Sequence, residues 1–119
     1  MASKVILVVD DEMPIRSTLC LIFEASGYAV LNAKNAKEGL DAFTKNHVDL
    51  VLLDFRLPDD GTWVGHEMKR RKPQVPIAVL SGAPEAGEAR PYADALLAKP
   101  MDPPDLLEKV AELIDRRSS

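Results

Sequence analysis

The sequence predicts an α/β fold: a doubly wound parallel sheet of five strands with helices on both faces. Two observations carry this. Short apolar runs with neither helical nor alternating period, such as Val5-Ile6-Leu7-Val8-Val9 and Leu50-Val51-Leu52-Leu53, suit strands covered on both sides. Between the runs lie segments whose apolar residues recur at helical spacing. Strands alternating with helices argue a parallel sheet joined by right-handed crossovers.

Val5 to Val9 is the first strand, rich in β-branched residues, and it ends in Asp10-Asp11-Glu12. Pro14 suits the first turn of a helix, Ile15, Leu19, Ile22 and Phe23 share one face of it, and Ser26-Gly27 closes it. Tyr28 to Asn32 reads as the second strand. Asn35 followed by Glu38 resembles a capping box, with Leu40 and Phe43 on the inner face of a short helix ending near Asn46. The third strand, Asp49 to Asp54, stops at a carboxylate. A lone buried carboxylate is too costly, so Asp54 should sit where the strand surfaces. Leu57-Pro58-Asp59-Asp60-Gly61 takes the chain out of the sheet.

Thr62 is the expected cap of a third helix, with Val64 and Met68 facing the sheet and Lys69-Arg70-Arg71-Lys72 in the last turn. Ile77 to Leu80 is the fourth strand and ends at Ser81-Gly82. Pro84, Gly87 and Pro91 argue against a long helix between Ala83 and Asp94. Ala95 to Ala98 is the fifth strand, ending at Lys99-Pro100. Asp102 and Pro103 open a last helix with a broad apolar stripe of Leu106, Leu107, Val110, Ala111, Leu113 and Ile114.

A length of 119 residues bounds the chain to one domain, 1–119, with an ordinary core. With 15 Lys and Arg against 19 Asp and Glu, the net charge of −4 disfavours binding to a nucleic-acid backbone. The single cysteine, Cys20, excludes an internal disulfide and fits a reducing compartment. No apolar run reaches membrane-spanning length and no signal-peptide core precedes the first strand, so the cytoplasm is the expected location.

Four strands end in a side chain with chemistry: Asp10-Asp11 after the first, Asp54 after the third, Ser81 after the fourth and Lys99 after the fifth. In a parallel sheet these ends share one edge, the edge where ligands bind. Three carboxylates gathered there repel one another unless a cation joins them. A hard oxygen site of this kind suits Mg²⁺. A lysine and a hydroxyl opposite would complete a pocket for a phosphoryl dianion.

The stretches Val9-Asp10-Asp11-Glu12, Leu53-Asp54 with Leu57-Pro58, Leu80-Ser81-Gly82 and Ala98-Lys99-Pro100 follow in this order over essentially the whole chain. Together they resemble the receiver domain of response regulators in two-component signalling, of the chemotaxis-regulator-like kind. The resemblance implies a flavodoxin-like receiver fold with sheet order 2-1-3-4-5. It implies that Asp54 is the phosphoacceptor, taking a phosphoryl group from a phosphohistidine on a histidine kinase or histidine phosphotransfer protein. Asp11 would ligate Mg²⁺, Asp10 would hold a metal-bound water, and the backbone carbonyl of Arg56 would be a further ligand. Lys99 would pair with Asp54 and then with the phosphoryl oxygens. Ser81 would move its hydroxyl onto the phosphoryl group, and Lys99-Pro100 would be a cis peptide. The domain would act as a signalling module that phosphorylates itself, with at most slow self-dephosphorylation, and not as an enzyme.

Three departures accompany the resemblance. Ser81 and Lys99 are closer than usual by about one helical turn, roughly four residues, so the family's fourth helix is expected to be shortened, displaced or missing. Leu96 stands where the family carries an aromatic switch residue, three positions before the lysine, and Tyr92 is nearby but out of register. The loop from Pro58 to Gly61 is shorter than the family's.

Other residues have plainer readings. His47 and His66 read as surface residues, Lys69 to Lys72 as a solvated helix end, and Asp59-Asp60 as ordinary loop charge. Cys20 reads as a small helix residue and Trp63 as exposed, with a weak case for a partner surface. The leading function is a Mg²⁺-dependent phosphoreceiver that switches a protein-binding surface for an output protein, with no nucleic acid and no membrane involved. The alternative is a receiver-like interaction module that works without phosphorylation. A small Mg²⁺ phosphohydrolase is a third reading, disfavoured because those enzymes that resemble this fold want Asp-x-Asp after the first strand. Cognate kinase, output partner and oligomeric state are not written in the sequence.

Overall fold

The computed structural model describes residues 3–82, 84–99 and 101–117. Strands β1 (Val5–Val9), β2 (Ala29–Ala33), β3 (Leu50–Asp54), β4 (Ile77–Ser81) and β5 (Ala95–Ala98) alternate with helices α1 (Met13–Ala25), α2 (Ala36–Lys45), α3 (Gly61–Arg71) and α4 (Pro103–Arg117). All strand pairs are parallel, in the order β2-β1-β3-β4-β5. This is the order that the resemblance implies.

The strand period of two divides the apolar runs between two cores. Leu7, Val9, Val51, Leu53, Ile77 and Val79 face α2 and α3, against Phe43, Val64 and Met68. Ile6, Val8, Leu50, Leu52, Ala78 and Leu80 face α1 and α4, against Leu19, Phe23, Leu106 and Val110. Burying each Val, Leu or Ile here stabilises the fold by roughly 1.5–3 kcal/mol, and because every pair is parallel the carboxyl ends lie along one edge.

The second strand begins one residue later than expected. Tyr28 belongs to the end of α1 instead. The Gly27 N–H bonds the Glu24 carbonyl and the Tyr28 N–H bonds that of Phe23, with Gly27 at φ +93°. This is a glycine-terminated helix end, and its usual apolar contact is made by the Phe23 and Tyr28 rings, edge-on at 6.1 Å.

Two aspartates tie the amino ends of the strands. Asp49 Oδ2 accepts the Val5 N–H at 2.8 Å, and Asp94 Oδ2 accepts the Ile77 N–H at 2.7 Å. Each lies one residue before its own strand and satisfies a neighbour's first donor. His47 is exposed yet partnered, with Nε2 at 2.9 Å from Asp49 Oδ1. The basic run is likewise engaged. Lys69 pairs with Asp94, Arg70 and Arg71 with Glu67, and Lys72 donates to the Phe43 and Asn46 carbonyls.

The third helix is capped by Asp60, not Thr62. Asp60 sits at φ +68° and accepts the Trp63 N–H at 3.2 Å. The connection between β4 and β5 carries a 3-10 helix, Pro84–Ala89, where the family's fourth α-helix would lie. Proline and glycine spacing foretold that loss. The cis form expected of Lys99-Pro100 falls outside the described residues. No helix of the described residues is long and apolar enough to cross a membrane.

Candidate functional site

The carboxyl ends of β1, β3, β4 and β5 meet in one cleft of about 500 Å³, lined by Asp11, Glu12, Asp54, Arg56, Ser81, Gly82 and Lys99. Asp10 lies just behind it. The Asp10 N–H extends the sheet to the Ala33 carbonyl, and its own carbonyl accepts the Arg16 guanidinium at 2.7 Å. One carboxylate oxygen accepts the Glu12 N–H at 2.9 Å, and the other lies 3.4 Å from Lys99 Nζ. Both oxygens are therefore engaged, in a residue 1% exposed. Asp11 and Glu12 face solvent, and Asp10, Asp11 and Glu12 each bring a carboxylate oxygen within 4.8 Å of the others.

Asp54 is the last residue of β3, and its Oδ1 lies 3.2 Å from Lys99 Nζ. Burial pushes the Asp54 carboxyl above its ordinary range, the Asp10 charge adds to this, and Lys99 only partly opposes them. Burial works against the Lys99 ammonium too, yet the Asp54 and Asp10 carboxylates outweigh it and hold its pKa high. One lysine thus serves two buried acids, with two more acids at the rim. That excess of hard oxygen donors suits a small divalent cation. The lining offers no softer ligand, since no histidine or cysteine is among the described residues of the cleft.

Ser81 closes β4 opposite Ala98, its carbonyl accepting the Lys99 N–H at 3.1 Å. Arg56 is exposed on the cleft wall. So the structure brings together Asp54, Lys99, Ser81, Asp11 and Arg56, with Asp10 packed behind them. Glu12, which follows the acid pair and lies outside the expected ligand set, lines the cleft as well. Its signal was adjacency to the acid pair at a strand end. An apolar groove of about 590 Å³ between α1 and α4, lined by Ile15, Leu19, Met101 and Leu106 among others, adjoins the cleft at Lys99.

This chain belongs to the response regulator receiver domain family, whose model matches residues 6–111. It is a receiver domain of two-component signalling. Among its relatives, the phosphate regulon transcriptional regulatory protein PhoB of Pseudomonas aeruginosa is 30% identical, over 98% of this chain and 54% of its own length. The chain spans about half the length of the first curated relatives it matches. Among solved structures, the CheY-like receiver domain protein of Methanospirillum hungatei JF-1 superposes with a TM-score of 0.94 at 32% identity, covering 98% of both chains. The response regulator TrrA of Thermotoga maritima, solved in complex with Mg(2+)-BeF, gives 0.86 at 34% identity, over 92% of this chain and 98% of its own.

Proposed function

We propose that the chain is a phosphoreceiver in which Asp54 accepts a phosphoryl group, in a magnesium-dependent step, from a phosphohistidine of a histidine kinase or histidine phosphotransfer protein. The observation that carries this reading is the placement of Asp54, beside Lys99 and across one cleft from Asp11 and Glu12, in a chain of the receiver family. Asp11 and Asp54, with the Arg56 carbonyl, are the donors that would hold the ion, and Asp10 backs them. The magnesium in the TrrA complex supports the choice of metal. When bound, the ion supplies positive charge for the transferring oxygens, which is most of what phosphoryl transfer asks of a protein.

The chain's own residues do the rest. Lys99 holds Asp54 Oδ1 in place, in the cleft that Asp54 lines. The phosphorus–nitrogen bond of the donor breaks as the bond from phosphorus to the Asp54 oxygen forms. The imidazole keeps the electron pair, and the transferred group brings about two negative charges to the sheet edge. Lys99 then turns to the new oxygens, and Ser81, on the same cleft lining, would follow with its hydroxyl. The apolar groove that adjoins the cleft at Lys99 suits a helix of the donor protein.

Incubation with Mg²⁺ and acetyl phosphate, followed by intact mass measurement, tests the reading. One added phosphoryl group is expected, and none in Asp54→Asn. No added mass would favour an interaction module that works without phosphorylation.

A further inference from the structure

Asp59 lies three residues beyond Arg56, in the loop that follows the phosphoacceptor strand, and its carboxylate bonds outside that loop. Oδ1 accepts the Ala36 N–H at 2.7 Å and Oδ2 accepts the Lys37 N–H at 3.0 Å. These are the first two donors of α2, which no carbonyl of the helix can reach. The third donor, on Glu38, goes to Asn35 Oδ1 at 2.8 Å, and the fourth, on Gly39, to the Asn35 carbonyl at 3.0 Å. The N–H groups of Ala36 to Gly39 are all satisfied, two of the four by a residue more than twenty positions away.

A plain cap would come from the adjoining residue, as Asn35 does. Asp59 instead ties two segments together, and it uses both oxygens, which fixes direction as well as distance. The loop is also pinned at its start, where the Phe55 N–H bonds the Leu80 carbonyl at 3.1 Å, and at its end, where Asp60 caps α3. Arg56 sits between these anchors and lines the acid cleft.

We propose that Asp59 is a positioning residue for the cation site: its two-pronged hold on the start of α2 fixes the loop that presents Arg56 to the cleft. The inference rests on the magnesium reading above. Groups that orient a metal's ligands from behind commonly matter to affinity by 10–100-fold.

Asn35→Ala is the matched control, because it removes a cap from the same helix end without touching the loop. Calorimetric Mg²⁺ titration and thermal unfolding of wild type, Asp59→Ala, Asp59→Asn and Asn35→Ala form the test. Both alanine variants should lose several degrees of unfolding temperature. Asp59→Ala should lose Mg²⁺ affinity by about tenfold. Asp59→Asn keeps one acceptor oxygen and should fall between it and wild type, while Asn35→Ala should bind as wild type does. Equal affinity in Asp59→Ala and Asn35→Ala, whether both drop or neither, overturns the inference and leaves Asp59 a helix cap. Absence of Mg²⁺ binding by the wild type overturns the magnesium reading itself, and this inference with it.

Discussion

Tyr92 lies so close over Gly65 that a Cβ on the glycine would overlap the phenol ring. The ring is 2% exposed and meets the His66 imidazole edge-on at 5.0 Å. Its hydroxyl is buried beside Thr62, with no hydrogen bond of good geometry among the described residues. Tyr92 therefore anchors the connection between β4 and β5 to α3, where the described residues of that connection carry a 3-10 helix.

Gly65→Ala is expected to destabilise the protein despite the better helix former. The propensity gain is about 1 kcal/mol. Displacing a buried ring costs about 1–3 kcal/mol or more, and here the contact is with the body of the ring and not a flexible tip. A lower urea midpoint, with a tyrosine newly open to solvent, is the expected result.

Tyr92→Phe and Tyr92→Ala should differ in sign or nearly so. The phenylalanine keeps the packing and removes an unpaired hydroxyl, so stability should hold or rise slightly. The alanine leaves a cavity and should lose about 3–5 kcal/mol. Thermal unfolding of both variants checks the contrast.

Lys99→Met leaves the Asp54 and Asp10 carboxylates facing one another without their shared cation. Removing one partner of a fully buried pair costs roughly 3–5 kcal/mol. Lys99 keeps 22% exposure, so about 2 kcal/mol is expected in metal-free solution. Its raised pKa makes this contribution fully present at neutral pH and lost only as pH rises through the lysine range. The deficit should shrink in acid as the Asp54 carboxyl, raised by burial, takes up a proton. Added Mg²⁺ should recover part of the loss. Unfolding with EDTA and with Mg²⁺, across pH, measures all three effects.

Glu67 accepts from Arg70 and Arg71 at once, and those bonds lower its carboxyl from 4.5 to about 2. A lowered acid contributes stability above its unfolded value and loses it as pH falls through the folded one. A carboxyl carbon titration by NMR should place the Glu67 midpoint near 2, moving back toward 4.5 in an Arg70→Ala, Arg71→Ala double variant.

Strands were legible because the apolar runs Val5 to Val9 and Leu50 to Leu53 are buried on both faces, as in a parallel sheet, while the sheet order came from the family resemblance and not from the runs. The loss of the helix between β4 and β5 was legible from Pro84, Gly87 and Pro91. Asp59 and Asp60 were not, and passed as loop charge. Asp60 is a local cap whose signal was present, a carboxylate three residues before the Trp63 N–H, but it takes a left-handed backbone that is uncommon outside glycine. Asp59 bonds across 22 and 23 residues, and no spacing rule reaches that far. Tyr92 gave no sign of burial either, since it sits in a segment without period. In the cleft, the strand-end side chains were legible one by one, while the sharing of Lys99 between Asp10 and Asp54 needed coordinates.

The central claim is that one carboxylate, Asp54, carries the phosphoryl group. Borohydride reduction of an aspartyl phosphate leaves homoserine at the modified position, and peptide mapping then reads the site directly. After treatment with acetyl phosphate and Mg²⁺, homoserine is expected at position 54 and is expected to vanish when EDTA is added first. Homoserine at Asp10 or Asp11, or at no position while Mg²⁺ is present, would contradict the account.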